Sequence, residues 1–303
     1  MATMDGRRAT TEGEEGRAAG PAFHIMAQDP PPTPLVFASP HSGRHYPAEM
    51  LEAAAVGADV LRRSEDAFVD ELIAPAAQAG ASLILARYGR AWIDLNREPW
   101  ELDPAMFSDA LPVFAQGRTA RVAAGLGVIA RTAEGRDIYA RKLTFAEAEA
   151  RVASTHAPYH DALDRLLARA RGAHGIAVLI DWHSMPEAAA KTAVTPRHGK
   201  GCDIVLGDRF GAACTRKLTD LVEKELETMG YRVARNAPYA GGYTTEHYGR
   251  PGSRTHALQI EISRALYLDE ATLAPTEGLA KLTADIGRLT AVLAETWPKL
   301  KPA

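Results

Sequence analysis

Two histidines and an aspartate stand at the ends of predicted structural elements, where they could share a metal ion. His41 follows the predicted strand 35–39, and His183 follows the predicted strand 176–181. Because ligands of open α/β sheets bind outside the carboxyl ends of the strands, both imidazoles are expected at one sheet edge. Histidine and carboxylate ligands suit Zn²⁺, and a catalytic zinc keeps three protein ligands and a water. Asp66, at the start of the first predicted helix, is the candidate third ligand.

Metal-assisted hydrolysis also needs a general base, and Glu261 is the available carboxylate. It lies in the predicted strand 257–262, where alternation places Gln259 and Glu261 on one face and apolar residues on the other. The polar face is expected to meet the metal site. The alternative for Glu261 is an ion pair with Arg254 or Arg264.

Further polar residues near the end of the predicted strand 82–88 and beyond it would reach the same edge: Arg87, Arg90, Asn96 and Arg97. The guanidinium of Arg97 presents a planar fork that matches a carboxylate with two hydrogen bonds. The Asn96 amide can add another hydrogen bond to the same group. The alternative for Arg97 is a structural ion pair with Asp94 or Glu98. Arg254 is a further candidate for binding substrate.

A histidine taken alone is more often structural than ligating, so the metal hypothesis depends on the joint placement. His45 could replace His41, but it lies further from the strand end. The sequence has no H-E-x-x-H, no G-x-S-x-G and no Gly-Lys-Ser/Thr phosphate loop. Cys202 and Cys214 are therefore expected to be unreactive thiols. Six other histidines have weaker placement and are expected mostly at the surface or behind the ligands: His156, His160, His174, His198, His247 and His256.

Short apolar runs alternate with longer helical patterns along most of the chain. Strands are predicted at 35–39, 82–88, 91–95, 176–181, 231–234 and 257–262, and helices at 66–80, 144–171, 208–230 and 276–297. Such alternation indicates an α/β layer architecture with a mostly parallel sheet. A single domain is predicted over residues 34–303. Residues 101–143 are irregular and form a candidate active-site lid or insertion.

Composition excludes several classes of partner. The chain has 303 residues, with 35 Lys+Arg against 38 Asp+Glu, and so lacks the basic excess that broad nucleic-acid binding requires. No run of about eighteen apolar residues predicts a membrane span, and no apolar segment near the N-terminus resembles a signal peptide. With two cysteines and no C-x-x-C, a reducing cytoplasm is the expected compartment.

Residues 1–33 differ from the rest of the chain. The first twenty are mostly small, polar and charged, and Asp29–Pro34 is rich in proline, which favours extended polyproline conformation. A disordered N-terminal tail is therefore predicted over residues 1–33. The alternative is a proline-rich motif that binds a partner protein.

Six segments, in this order over residues 35–268, resemble the N-formylglutamate amidohydrolase family: SPHSG at 39–43, SEDAFVDEL at 64–72, ARYGRAWIDLNR at 86–97, IDWHS at 180–184, GGYTTEHYGRP at 241–251 and HALQIE at 256–261. That family is similar to zinc carboxypeptidases and amino-acid deacylases. The resemblance implies a three-layer α/β/α fold of the zinc-carboxypeptidase, phosphorylase/hydrolase-like type, with a mixed, mostly parallel sheet. It also implies zinc-dependent hydrolysis of the amide bond of an N-acyl amino acid, either N-formylglutamate or a similar molecule.

The resemblance implies a role for each candidate residue. The metal ligands and the general base correspond to His41, Asp66, His183 and Glu261. Asn96 and Arg97 match a pair that holds the substrate carboxylate in the carboxypeptidase relatives. Arg87 and Arg90 would polarise the amide carbonyl or bind a second carboxylate. The implied cofactor is one zinc ion, although similar ligands also bind Fe²⁺, Mn²⁺ and Co²⁺.

The sequence departs from the family pattern at three positions. Arg44 stands where the H-x-x-E motif of the carboxypeptidases has its carboxylate, so the third ligand must come from further along the chain. Ala67 replaces an aromatic residue, and Glu246 replaces an arginine near the expected pocket. The reversed charge bears on the choice of substrate more than on the chemistry. Two alternatives stay open: a deacylase or peptidase for another N-acyl amino acid or peptide, and a non-catalytic binding protein on the same fold.

Overall fold

The computed structural model describes residues 20–195 and 199–300. Its centre is a seven-stranded sheet with, in chain order, β1 Phe23–Met26, β2 Leu35–Ser39, β3 Ser82–Ala86, β4 Ala177–Met185, β5 Ile204–Gly207, β6 Val233–Arg235 and β7 Thr255–Ser263. Across the sheet the order is β1-β3-β2-β4-β7-β5-β6. Strands β3, β2, β4 and β7 run parallel, whereas β1 is antiparallel to β3 and β5 is antiparallel to β7. The sheet is therefore mixed and mostly parallel.

The central strands are long apolar runs because both faces of the sheet are covered. Every residue of β2, β4 and β7 is buried. In the parallel register of β4 and β7, His183 lies directly opposite Glu261. The two central strands thus bring a histidine and a glutamate to the same level of the sheet.

Helices pack on both faces of the sheet. They are α1 Ala48–Ala53, α2 Ala58–Arg62, α3 Val69–Ile73, α4 Ala120–Ala123, α5 Phe145–Arg151, α6 Ala157–His174, α7 Glu187–Ala190, α8 Arg216–Thr228, α9 Tyr243–Tyr248 and α10 Gly278–Thr296. Leu72, Leu218 and Leu289 of α3, α8 and α10 belong to the core on one face, and Leu163 and Leu167 of α6 belong to the core on the other. The predicted three-layer α/β/α arrangement is confirmed. None of the helices in the described ranges has the length and apolarity to cross a membrane.

Strand β1 corrects the predicted N-terminal tail. Residues 1–19 lie outside the described residues, but Phe23–Met26 pairs with β3, with Phe23 opposite Ala86. A tail that extends to residue 33 is therefore wrong. Three of the four β1 side chains are exposed, and the segment has only four residues, so it is too short to be recognised as a strand from the sequence alone.

Residues 91–95 form a buried loop in place of the predicted strand. The reason is that β1 occupies the edge of β3 to which a hairpin partner would bind. Trp92 N donates to Gly89 O at 2.9 Å, and Asp94 N donates to Val128 O at 2.7 Å. The second bond ties this loop to the irregular segment that the sequence predicts between residues 101 and 143.

Prolines divide two of the predicted helices. Pro75 lies in the 3₁₀ turn Ala74–Ala77 that follows α3, so the α-helix is shorter than predicted. Helix α5 begins at the predicted capping box, Thr144–Glu147. Between α5 and α6 lies a π-helical turn, Val152–His156, shortly before Pro158. A wider turn relieves the clash that a proline ring makes with the carbonyl four residues earlier.

Candidate metal centre and substrate cavity

The two predicted histidine ligands and the predicted aspartate ligand meet at the carboxyl ends of β2 and β4. His41 Nδ1 and His183 Nδ1 lie 3.1 Å apart. Asp66 Oδ2 lies 3.3 Å from the first nitrogen and 3.1 Å from the second. Ligand atoms about 2.1 Å from a tetrahedral ion are roughly 3.4 Å from one another. The three donor atoms therefore have the types and the spacing that fit one zinc-type ion.

The backbone holds these ligands close to one another. Asp66 N donates to His41 O at 3.0 Å, which joins the segment before α3 to the loop after β2. Phe68, just before α3, adopts the left-handed region with φ 64°. Non-glycine residues in this region are uncommon and concentrate at functional sites. The ligand side chains are only 1–3% exposed.

Each histidine meets a second carboxylate at its other ring nitrogen. Asp94 Oδ1 lies 2.6 Å from His41 Nε2, and Asp181 Oδ2 lies 2.9 Å from His183 Nε2. At His41 this contact is a hydrogen bond, and a carboxylate at Nε2 favours the tautomer that is protonated there, which leaves Nδ1 free to bind a metal. The same contact fixes the orientation of the ring and raises its basicity as a ligand.

Two arginines balance the charge of the buried aspartates. Arg264 Nη2 donates to Asp66 Oδ1 at 3.1 Å, so Oδ2 is the oxygen that faces the histidines. Arg90 Nη2 donates to Asp94 Oδ2 at 2.6 Å. Burial would raise the pKa of Asp94, but Arg90 and His41 outweigh it and hold that pKa well below its usual range. Asp94 is therefore ionised and able to orient His41.

Glu261 faces the same cavity from β7. Its carboxylate Oε1 accepts a hydrogen bond from Gln259 Nε2 at 2.8 Å. Burial raises the pKa of Glu261 to about 7, with Asp66 adding to the rise and His183 opposing it. A carboxylate with a pKa near neutrality suits proton transfer. The alternative ion pair with Arg264 does not form, because that guanidinium contacts Asp66.

A cavity of about 500 Å³ opens beside these groups. Its wall includes five arginines: Arg63, Arg90, Arg97, Arg121 and Arg264. The carboxylates in the wall are four: Asp66, Asp94, Glu134 and Glu261. Tyr239 adds a half-buried phenol. With a divalent cation at the histidines the cavity would be clearly positive, which favours an anionic ligand.

Asn96 lies between the metal centre and helix α9. Its Nδ2 is 3.1 Å from His183 Nε2, and its Oδ1 accepts from Thr244 N at 2.7 Å. A Cβ atom at Gly242 would collide with the Asn96 amide, so this close approach requires glycine. The predicted Asn96 is thus brought to the site and held rigidly there.

Arg97 lines the cavity next to Asn96. Its Nε donates to Leu126 O at 3.0 Å, and its Nη1 donates to Asn96 O at 2.9 Å. The closest carboxylate contact, between Nε and Asp94 Oδ2, is 3.9 Å and too long for a hydrogen bond. Burial lowers the pKa of Arg97, neighbouring arginines lower it further, and Asp94 opposes them. The guanidinium is therefore a partly buried cation, with its side chain 12% exposed, and it has no close anionic partner among the described residues.

Two of the predicted arginines, Arg254 and Arg87, lie outside the cavity wall. Arg254 precedes the first residue of β7, seven residues before Glu261, or roughly 23 Å along the strand. Arg87 lies over the Tyr88 ring, 5.9 Å from its centroid, and is not part of the cavity wall. The geometry thus contradicts the substrate-binding role predicted for Arg254 and the catalytic role predicted for Arg87. Arg90 is the predicted arginine that reaches both the cavity and the ligand sphere.

Two other expectations change with the structure. Glu246, in α9, is 3.2 Å from Arg209 and is not part of the cavity wall. Its negative charge therefore does not enter the cavity. His45, the alternative to His41 as a ligand, packs against Tyr88 with ring centroids 5.1 Å apart. The donor cluster contains His41.

Sequence reasoning misses three residues of the site. Asp181 lies two positions before His183 on the same face of β4, and strand alternation is the signal that could find it. The sequence marks Asp94 only as a partner for Arg97, because its approach to His41 depends on a loop. Tyr239 has no recognisable signal in the sequence, since a loop after β6 brings it to the cavity.

Comparisons with known proteins show the family to which the chain belongs. The family model described as N-formylglutamate amidohydrolase matches residues 33–268. N-formylglutamate deformylase of Pseudomonas aeruginosa is 31% identical over 262 residues, which cover 84% of this chain and 90% of that protein. The N-formylglutamate deformylase of Pseudomonas putida is 30% identical over 248 residues, covering 78% and 82%. The crystal structure of N-formylglutamate amidohydrolase from Ralstonia eutropha JMP134 has a TM-score of 0.82 and 37% identity, covering 92% of this chain and 98% of that one. The chain therefore belongs to the N-formylglutamate amidohydrolase family.

Proposed function

We propose that the protein hydrolyses the N-formyl amide bond of N-formylglutamate, or of a closely similar N-acyl amino acid, with the help of one zinc ion. The activity for which the relatives are named supports the substrate class. One structural observation carries the chemistry. The donor atoms of His41, Asp66 and His183 converge to within 3.3 Å, and Glu261 faces the same cavity.

The residues of the site divide the chemistry between them. A divalent ion held by His41, Asp66 and His183 would act as a Lewis acid, which polarises a carbonyl and acidifies water. Glu261 accepts a proton from the attacking water while the new C–O bond forms at the acyl carbon. It then gives that proton to the nitrogen as the C–N bond breaks, which releases formate and the free amino acid. Burial favours the neutral, proton-carrying form of Glu261 that links these two steps.

The charges of the cavity suit a substrate with two carboxylates. Arg97 lacks a close anionic partner, and its Nη2 has no hydrogen bond among the described residues. We assign it the α-carboxylate that all N-acyl amino acids share, with Asn96 beside it. Arg90 is fixed to Asp94 through one nitrogen and keeps other donors for the amide carbonyl or a second carboxylate.

A substrate panel with controlled metal content tests this function. The protein is stripped with a chelator, reloaded with Zn²⁺, Mn²⁺ or Co²⁺, and assayed for release of the free amino acid. We expect no turnover without metal and the highest kcat/KM for N-formylglutamate. The neutral isostere N-formylglutamine should be at least about tenfold slower, because it leaves a cavity cation unpaired. No hydrolysis with any metal would overturn the proposal. A preference for N-acetyl or N-succinyl amino acids would identify the related deacylase instead.

A further inference from the structure

Two buried histidines contact the loop that carries Asn96 and Arg97. His156 Nε2 lies 2.9 Å from Arg97 O, and His160 Nε2 lies 2.9 Å from Leu95 O. The two residues are 3% and 8% exposed, and neither is part of the cavity wall. They can therefore influence a substrate only through the loop.

The local helix geometry presents both rings to the same segment. His156 is the last residue of the π-helical turn, and His160 lies in the first turn of α6. Their spacing of four residues places them on one helix face, and their ring centroids are 4.3 Å apart. Single π-helical turns inside α-helices are frequently found at functional sites.

Hydrogen bonds bind three consecutive carbonyl groups of the loop. Leu95 O meets His160, Asn96 O accepts from the side chain of Arg97, and Arg97 O meets His156. With each carbonyl bound, the peptide planes of the loop cannot rotate without breaking a hydrogen bond. The direction of the Arg97 guanidinium depends on these planes, because the guanidinium is itself one of the donors.

Helix α9 fixes the protonation state of one of the two rings. The Tyr248 hydroxyl lies 2.8 Å from His160 Nδ1. Because Nε2 faces a carbonyl and must donate, Nδ1 accepts from the tyrosine. Burial lowers the pKa of His160 well below its usual value and lowers the pKa of His156 as well. Both rings are therefore neutral, and each gives one proton to the loop.

We propose that His156 and His160 are positioning residues, which hold the Leu95–Arg97 loop in the shape that binds the substrate's carboxylate. This inference rests on the proposed function, because it concerns the same substrate. If it is correct, loss of either donor harms recognition of a free carboxylate more than it harms hydrolysis itself. A histidine that only stabilised the fold would change the rates for all substrates alike.

Helix α6 offers a matched control. His174 lies near the other end of the helix, and its Nε2 is 2.9 Å from Pro31 O. It thus makes the same type of contact, from a histidine ring to a backbone carbonyl, without touching the loop. His174→Phe removes an equivalent hydrogen bond from the same helix.

The experiment compares N-formylglutamate with its α-methyl ester in the zinc-loaded enzyme. The variants are His156→Phe and His160→Phe, which remove the donor and keep a ring, and His156→Gln, which restores a donor. We expect each Phe variant to lower the acid-to-ester ratio of kcat/KM by at least about tenfold, mainly through KM for the acid. His156→Gln should stay within about threefold of the unaltered enzyme, and His174→Phe should leave the ratio unchanged. Hydrogen exchange of the amides of Asp94 and Asn96 should accelerate in the Phe variants and remain unchanged in His174→Phe.

The outcomes separate this inference from the proposed function. An unaltered enzyme that hydrolyses no N-acyl amino acid overturns the proposed function and the part of this role that concerns the substrate. Hydrogen exchange then decides separately whether the histidines hold the loop. An active enzyme with equal rates on acid and ester overturns the carboxylate-binding loop. A normal acid-to-ester ratio in both Phe variants overturns the positioning role alone. If His160→Phe does not fold, the pair His156→Phe and His156→Gln decides the question.

Discussion

Asp94 lies 2.6 Å from His41 Nε2, at the ring nitrogen opposite the one that faces Asp66. The same carboxylate accepts hydrogen bonds from Arg90 Nη2 at 2.6 Å and from Asn96 N at 2.9 Å. One buried aspartate therefore orients a candidate metal ligand, a cavity arginine and the loop assigned to the substrate carboxylate. Asp94 therefore connects the candidate metal centre with the loop assigned to the substrate carboxylate.

Replacement of this aspartate by asparagine is predicted to weaken metal binding. Asp94→Asn keeps the size of the side chain but removes the charge that stabilises the Nε2-protonated ring of His41. We expect zinc affinity to fall about 10- to 100-fold, as is typical when the carboxylate behind a histidine ligand is lost. Competition with a chromophoric chelator measures this affinity. Asp70→Asn, which alters an aspartate paired with Arg44 near the surface, is the control. Equal affinities in the two variants would contradict the prediction.

Glu261→Gln is predicted to separate metal binding from turnover. The amide keeps the shape of the side chain but cannot accept the proton of water. We expect zinc content to remain at one ion per chain and kcat to fall at least about 100-fold, the usual contribution of a general base. Elemental analysis and steady-state kinetics on the same preparation provide both values. Glu246→Gln, which alters an exposed carboxylate outside the cavity, should behave as the unaltered protein. Near-normal turnover of Glu261→Gln would rule out Glu261 as the base.

The pKa of Glu261 also predicts how the stability of the metal-free protein depends on pH. Its folded pKa of about 7 lies above the ordinary value of 4.5. The stability that this carboxyl contributes is therefore fully present below about pH 4.5 and is lost as the pH rises through 7. Glutamine is neutral throughout, so Glu261→Gln should gain roughly 2 kcal/mol relative to the unaltered protein between pH 5 and pH 8. Urea unfolding at the two pH values measures the difference. A stability difference that does not change with pH would show that Glu261 titrates normally.

Arg97→Lys is predicted to weaken binding of the substrate carboxylate although the charge is kept. A lysine ammonium cannot donate to Leu126 O and Asn96 O and still present a planar fork to the ligand. We expect KM for N-formylglutamate to rise at least about tenfold, with a smaller effect on the α-methyl ester. Initial rates on the two substrates provide the comparison, and Arg44→Lys, at a surface ion pair, is the control. Equal losses on acid and ester would mean that Arg97 serves the fold and does not bind the substrate.

The convergence of the candidate metal ligands can be predicted from the sequence because of how parallel strands are arranged. His41 and His183 follow or end apolar runs, and parallel strands bring their carboxyl ends together. Glu261 could be found in the same way, since alternation fixes which face of a buried strand is polar. The prediction fails for a residue that does not follow a strand. Arg254 directly precedes its strand and so lies at the amino end of β7, whereas the cavity lies at the carboxyl ends of the parallel strands.

The loops were less accessible because their course depends on partners that are distant in sequence. The loop at 91–95 cannot be a strand because β1 already occupies the edge of β3. Asp94 reaches His41 across 53 residues, and His156 reaches Arg97 across 59. No local pattern encodes such contacts, so only the tertiary structure reveals that Asp94 belongs to the site and that His156 contacts the loop beside it.

Strand β1 has a consequence for how this chain would behave at high concentration. It is short and mostly exposed, but it satisfies the outer hydrogen-bonding groups of Ser82–Ala86, a segment that is almost entirely apolar. Without β1, those groups would form a template for pairing with another molecule. Deletion of residues 1–29 should therefore cause the protein to aggregate through the uncovered edge of Ser82–Ala86, a segment far in sequence from Glu261. Residues 23–26 thus cover the edge of β3 while contributing little to the core.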